Sequence, residues 1–239
     1  AADRDHDLGT GADEAYTLLL GANQDIYAAG FADNAGSQDT WLGRFSTSPV
    51  PVASSPTAPS GFAGVAQSTS SILWSWVDNS TDETGFRVMF GGTNLSGDLA
   101  ANTTTWLQSG LGVNTSSGAL FAQAFNSTGT ADSGTFARYS LAAVPTGLGA
   151  TGVTASNATI SWSGSATLYQ LERSTGGVYT IISTGVTTSY GNTNLSAAST
   201  YYYRVLGYNG DSIATAYTST ITVVTSPAPV LVSIAVTPS

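Results

Sequence analysis

Cysteine and lysine are both missing from the 239 residues. Without cysteine there can be no disulfide, no thiolate metal site and no thiol nucleophile. Without lysine, intramolecular Lys–Asn isopeptide bonds and lysine-linked sortase polymers are chemically excluded, so any polymer of this chain forms without lysine cross-links. Charge is scarce as well, at 9% of residues against about 25% in an average domain. The cations are six arginines, Arg4, Arg44, Arg87, Arg138, Arg173 and Arg204, and the net charge is −9. Such a surface repels phosphate, which argues against nucleic acid and against anionic membrane surfaces as partners. No apolar run reaches the roughly 20 residues that span a bilayer, so membrane insertion is not expected. No signal peptide is visible, and the chain starts Ala1-Ala2-Asp3 without Met, which reads as a processed or truncated piece of a longer product.

What is abundant is Ser, Thr, Gly, Val, Tyr and Trp. That mixture suits half-buried pleated surfaces and tight turns, and it predicts an all-β protein. Residues 1–47 contain three short apolar runs, Tyr16–Leu20, Ile26–Phe31 and Thr40–Phe45, separated by turn-rich pieces, which reads as a three-stranded antiparallel meander. Residues 48–60 carry Pro49, Pro51, Pro56 and Pro59 and read as an extended linker.

Residues 61–143 and 144–225 then present the same features in the same order. Each unit opens on a strand marked by Pro and Gly. Each continues with a Trp-bearing strand, Ile72-Leu73-Trp74-Ser75-Trp76 and then Ala158-Thr159-Ile160-Ser161-Trp162. A third strand follows, Gly85–Phe90 and Leu168–Arg173. Each unit nears its end with an aromatic strand closing on Asn, at Asn126 and Asn209. Short strands at regular spacing, repeated about every 85 residues, are the pattern of tandem seven-stranded sandwiches. Trp76 and Trp162 are expected in the two cores. Trp74 is expected to point opposite to Trp76, so that one of the pair faces outward or into an interface. Residues 226–239 read as one terminal strand, with Val230, Val232, Ile234 and Val236 on one face.

The two repeats resemble bacterial fibronectin type III domains. Trp76–Val88 is similar to the B–C region of secreted bacterial examples, and Leu195–Val205 to the E–F corner and F strand. The resemblance implies that Tyr201 is the tyrosine corner, its hydroxyl bonding to backbone upstream. In the first repeat the matching position falls near Gly118, with Leu111 one residue off register. Residues 8–47 resemble one blade of secreted bacterial β-propellers, through Gly9–Ala15, Asp25–Phe31 and Asp39–Phe45. Residues 226–239 are similar to the first strand of a bacterial Ig-like domain.

Chemistry is sparse. Asp3, Asp5 and Asp7 alternate, with Glu14 twelfth in the frame, which matches the oxygen-ligand spacing of a calcium loop, although Leu8 stands where that loop needs Gly. An acidic solvated terminus is the competing reading, and no other cofactor is implied. His6 is the sole histidine; a Ser-His-Asp site would need it held by packing that such a terminus does not offer. Asp82-Glu83 reads as loop chemistry rather than an acid/base pair. Trp41, Trp74 and Trp106 could instead form a sugar-stacking platform. Seven Asn-x-Ser/Thr sequons, at Asn79, Asn94, Asn102, Asn114, Asn126, Asn157 and Asn194, are glycosylation candidates in a chain rich in those residues.

No catalytic constellation emerges, and the expected role is not enzymatic. An apolar strand without visible partners is taken up by another chain or aggregates. The sequence therefore points to a structural subunit of a bacterial extracellular filament, sheath or surface layer that assembles with itself by strand addition and interdomain contacts. The alternative is a spacer, or a carbohydrate-binding accessory region that meets surface glycans, within a larger secreted enzyme or adhesin.

Overall fold

The computed structural model describes residues 14–20, 26–34, 37–45 and 54–230, with side chains for 26–30, 42 and 54–230. Every regular element among them is a β-strand, and none is a helix able to cross a membrane. The chain divides into two compact units near Ser54.

The first unit holds a meander of β1 (Glu14–Leu20), β2 (Ile26–Asn34) and β3 (Ser37–Phe45) in antiparallel order. The three predicted apolar runs fall on these strands. Ala28 is buried, while Leu42 is exposed.

The second unit holds two sandwiches. In the first, β4 (Ser60–Ser68), β5 (Ser71–Val77) and β9 (Thr105–Gln108) form one sheet. The facing sheet contains β6 (Gly85–Phe90), the two-residue pieces β7 (Thr93–Asn94) and β8 (Leu99–Ala100), β10 (Leu120–Phe125) and β11 (Thr130–Asp132). In the second sandwich, β12 (Thr146–Thr151), β13 (Ala158–Ser163) and β16 (Ser189–Asn192) face β14 (Leu168–Ser174), β15 (Thr180–Gly185), β17 (Thr200–Tyr208) and β18 (Ile221–Val224). Of the expected linker, residues 54–59 have no regular structure, and Ser60 already opens β4.

Each core is filled by the inward residues of alternating strands. Ile72, Trp74 and Trp76 of β5 share one core with Phe86, Val88, Leu120, Ala122 and Ala124. Ile160, Trp162, Tyr169, Leu171, Tyr201, Tyr203 and Val205 fill the other. Removing one large apolar side chain of this kind from water contributes ~1.5–3 kcal/mol.

The expected outward Trp does not exist. Trp74 is fully buried and Trp76 nearly so. A strand has a side-chain period of two, so residues two apart share a face. Leu73, Ser75 and Val77 take the outer face instead. Phe62 stacks parallel on Trp74 with ring centroids 4.9 Å apart, and Trp74 Nε1 donates to Gln108 Oε1 at 3.0 Å.

The E–F corner of the second sandwich is held as the resemblance implies: Ser196 N–H donates to the Tyr201 hydroxyl at 2.8 Å. The two sandwiches hold Leu111 and Leu195 by the same backbone bond, from Leu111 N to Ser70 O and from Leu195 N to Ser156 O. Past Leu111 the chain runs one residue longer to reach the core strand, and Gly118 stands where Tyr201 stands in the second sandwich.

Candidate functional site: the joint between the sandwiches

Two loops of the first sandwich meet two loops of the second, and most of the hydrogen bonds between them run from a side chain to backbone. Asn114 has left-handed backbone, φ 48°, a conformation that Asn tolerates better than most residues because its short amide can bond locally. Its N–H donates to Leu141 O at 3.1 Å. Its side chain reaches wholly into the other sandwich. Nδ2 donates to Ser165 O at 2.8 Å and to Thr167 Oγ1 at 3.0 Å, and Oδ1 accepts from Gly210 N–H at 2.9 Å.

A second connection runs through Asp211. Tyr139 N–H donates to Asp211 Oδ2 at 2.7 Å, and the Arg138 guanidinium lies 3.9 Å from the same oxygen. Arg138 is itself anchored, since its Nε donates to Gly64 O at 2.7 Å. A third connection is buried: Asn209 Nδ2 donates to Ser140 O at 3.1 Å, with Asn209 and Ser140 both almost wholly excluded from water. Ser140 in turn donates its hydroxyl to Gly112 O at 2.7 Å and accepts from Thr115 N at 3.0 Å, which ties the loop carrying Asn114 to the segment carrying Tyr139. The Gly210 backbone lies so close to Tyr139 that a Cβ added there would meet the ring at 2.5 Å.

The two strand-closing asparagines do the same local work. Asn126 Oδ1 accepts from Thr128 N and Gly129 N, and Asn209 Oδ1 accepts from Asp211 N and Ile213 N. Their remaining amide hydrogens differ. Asn126 Nδ2 turns back to Asp82 O of its own sandwich, whereas Asn209 Nδ2 crosses to the first. The repeat thus supplies a turn former that the second sandwich also uses as a latch.

A buried carboxylate organises the outer face of the sheet β15-β14-β17-β18. Glu172 accepts from Tyr217 Oη at 2.6 Å, Gln170 Nε2 at 2.9 Å and Arg204 Nε at 2.8 Å. The Arg204 guanidinium lies between the rings of Tyr179 and Tyr217, 4.0 and 3.8 Å from their centroids. Burial pushes the Glu172 carboxyl upward, but the donors Tyr217, Arg204 and Gln170 outweigh it and hold the group below the ordinary range.

Asp3, Asp5, Asp7 and His6 lie outside the described residues, as do Val232, Ile234 and Val236 of the terminal strand. Among the described residues no group of three acids or histidines could hold a metal. Val230 is exposed. The Trp41 side chain lies outside the described residues, and Trp106 packs half-buried against the first core. Trp74, fully buried, offers no face to a sugar platform. Asp82 accepts from Ser80 Oγ, and Glu83 Oε1 from Asn102 N–H, which are loop-forming bonds. Of the sequon residues, Asn102, Asn114 and Asn194 all occupy left-handed backbone, so turn geometry accounts for Asn at those positions. Asn79, Asn94 and Asn157 are exposed, with Asn79 Nδ2 donating to Ala58 O and Ser60 Oγ. A glycan on Asn114 would replace one of the two Nδ2 hydrogens and so cost at least one of the bonds that Nδ2 donates across the joint. Nothing in the local sequence marks Ser140, Tyr139 or Asp211, which sequence reasoning missed.

The molecule is thus an all-β protein of tandem antiparallel sandwiches with a hydrogen-bonded joint. Solved structures similar to it include fibronectin type III domains. A two-domain segment of chicken tenascin matches over 71% of this chain and 99% of its own length, at 15% identity and a TM-score of 0.46. The sixth fibronectin type III domain of human fibronectin type III domain containing protein 3 matches over 37% of this chain and 90% of its own, at 27% identity and a TM-score of 0.34. An Fn3-like protein from Clostridium thermocellum matches over 34% and 90%, at 31% identity and a TM-score of 0.31. No family model and no curated protein matches the chain.

Proposed function

We propose that the chain is a structural, non-catalytic subunit of a bacterial extracellular filament, sheath or surface layer, built on a stiff two-sandwich rod. The joint carries this reading. Tandem domains move relative to each other by default unless their interface is large and hydrophobic; in this joint the restraint is a set of directional hydrogen bonds instead. Here Asn114, Asp211 and Asn209 bind backbone or side-chain groups of the opposite sandwich at several points, so a pull or bend at one end is passed to the other. Stiffness of this kind serves a load-bearing subunit.

Assembly is assigned to the terminal strand. The chain is still tied to the second sandwich at Ser226, whose N–H donates to Thr154 O and whose carbonyl accepts from Ala198 N. Residues 227–230 are exposed. In our reading Val230, Val232, Ile234 and Val236 add to a sheet edge of a neighbouring subunit, where main-chain bonds supply affinity and pockets accept alternate side chains. A head-to-tail contact of this kind does not close and gives a filament.

The test is negative-stain electron microscopy of the full chain beside a version lacking residues 229–239. This cut leaves the Ser226 bonds intact. Filaments from the full chain alone support strand exchange. Monodisperse two-lobed particles from both would make the chain a spacer or accessory region of a larger secreted protein.

A further inference from the structure

On the outer face of its β15-β14-β17-β18 sheet the second sandwich places Tyr179, Tyr202, Tyr208 and Tyr217, all half-buried. Three of them are fixed by bonds already made. Tyr217 donates to Glu172, Tyr208 donates to Gln170 Oε1 at 3.0 Å, and Tyr179 Oη pairs with Thr220 Oγ1 at 3.1 Å. The Tyr202 hydroxyl has no partner among the described residues.

Beside Tyr202 lies a shallow, open cleft of about 280 Å³ lined by Ser174, Gly176, Gly177, Tyr179 and Tyr202. Its loop is shaped in advance. Ser174 Oγ accepts from Gly176 N and Gly177 N, each at 3.0 Å, and donates to Gly177 O. Gly176 has φ 110°, and a Cβ there would lie 3.9 Å from the edge of the Tyr202 ring. A Cβ on Gly177 would meet nothing within 4 Å, so one wall of the cleft is bare backbone.

We propose that this cleft binds a neutral hexopyranose unit of a polysaccharide. Rigid aromatic faces cover the C–H face of a sugar at little entropic cost, because a tyrosine has only two torsions to fix. The unpaired Tyr202 hydroxyl and the loop backbone supply hydrogen bonds to ring hydroxyls. Charge selects against ionic ligands: the nearby Glu172 carboxylate is already paired with Arg204 at 2.7 Å, and no acid or base lines the cleft. The inference takes up the glycan-binding alternative at one named place. It does not depend on strand exchange, because a filament subunit and a spacer would present this cleft equally.

The test is native gel electrophoresis of the full chain in gels containing hydroxyethylcellulose, amylopectin or a β-1,3-glucan, each compared with a polysaccharide-free gel. At least one polymer retards the wild type. Tyr202→Ala, which removes the ring, and Gly177→Leu, which adds bulk to the cleft wall from an exposed loop, both abolish the retardation while the second sandwich remains folded by its thermal transition. Leu107→Ala, on the exposed face of the first sandwich, retains it. Absence of retardation by all three polymers, or retardation that survives in either cleft variant, overturns the proposal. Assembly is scored separately by microscopy, so failure of strand exchange would be distinguishable.

Discussion

The side-chain carbonyl of Asn114 in the first sandwich accepts the Gly210 N–H of the second at 2.9 Å, across 96 residues of sequence. The same side chain donates twice to the loop at Ser165 and Thr167. One residue in left-handed backbone therefore holds two loops of the neighbouring sandwich. Asn114→Gly keeps the backbone conformation and deletes all three bonds. Each intramolecular hydrogen bond is worth about 1 kcal/mol net. We expect the variant to loosen the joint, seen as broader interdomain distances in small-angle scattering, while each sandwich unfolds nearly as before.

Gly210 and Tyr139 make the complementary steric case. A methyl group on Gly210 would sit 2.5 Å from the Tyr139 ring, far inside van der Waals contact. Gly210→Ala should open the joint on the same scattering assay. Tyr139→Ala should be mild alone and should rescue Gly210→Ala. A double-mutant cycle isolates this coupling because the partners touch. Additive effects would mean that the contact is not what holds the loops together.

Much of the fold is legible in the residues themselves. Alternation and turn chemistry place the three meander strands and the two Trp-bearing strands, and Trp76 and Trp162 are core as their patterns require. Trp74 departs from the outward position expected of it because its parity with Trp76 fixes both on one face. The joint is not legible. Its bonds link Asn114, Ser140 and Tyr139 to residues between 51 and 96 positions away, and each is of a type that turns use everywhere. The sequons blur the signal further, since Asn114 reads equally as a glycan acceptor, a turn residue or a latch. The tyrosine cleft is likewise hidden, because alternation along β17 predicts only that Tyr202 faces away from Tyr201 and Tyr203.

Tyr201→Phe tests the E–F corner. The change retains the buried ring and removes the acceptor for Ser196 N–H. Leaving a partly buried donor without its partner costs about 1–3 kcal/mol. Urea unfolding of the second sandwich should shift to a lower midpoint with an unchanged slope.

Glu172 gives the second sandwich an acid-sensitive element. Its carboxyl is held below the usual value of 4.5, because bonds from Tyr217, Arg204 and Gln170 outweigh its burial. A depressed folded-state value means that the unfolded chain binds the proton more readily. The stabilisation is therefore fully present above the unfolded value and lost as pH falls through the lower folded one. Thermal midpoints measured downward from pH 5 should decline, and Glu172→Gln should flatten the part of the decline that this group causes. An unchanged slope would remove Glu172 from the account.

The stiffness of the joint is the claim on which the structural reading rests, and the absence of cysteine makes it directly measurable. Spin labels on Thr93→Cys in the first sandwich and Val178→Cys in the second, both exposed positions, would report the interdomain distance by pulsed electron resonance. The account predicts one narrow distribution that broadens when Asn114→Gly and Asp211→Ala are added. A broad or multiple distribution in the otherwise unaltered chain would contradict it, and would leave two sandwiches that move independently.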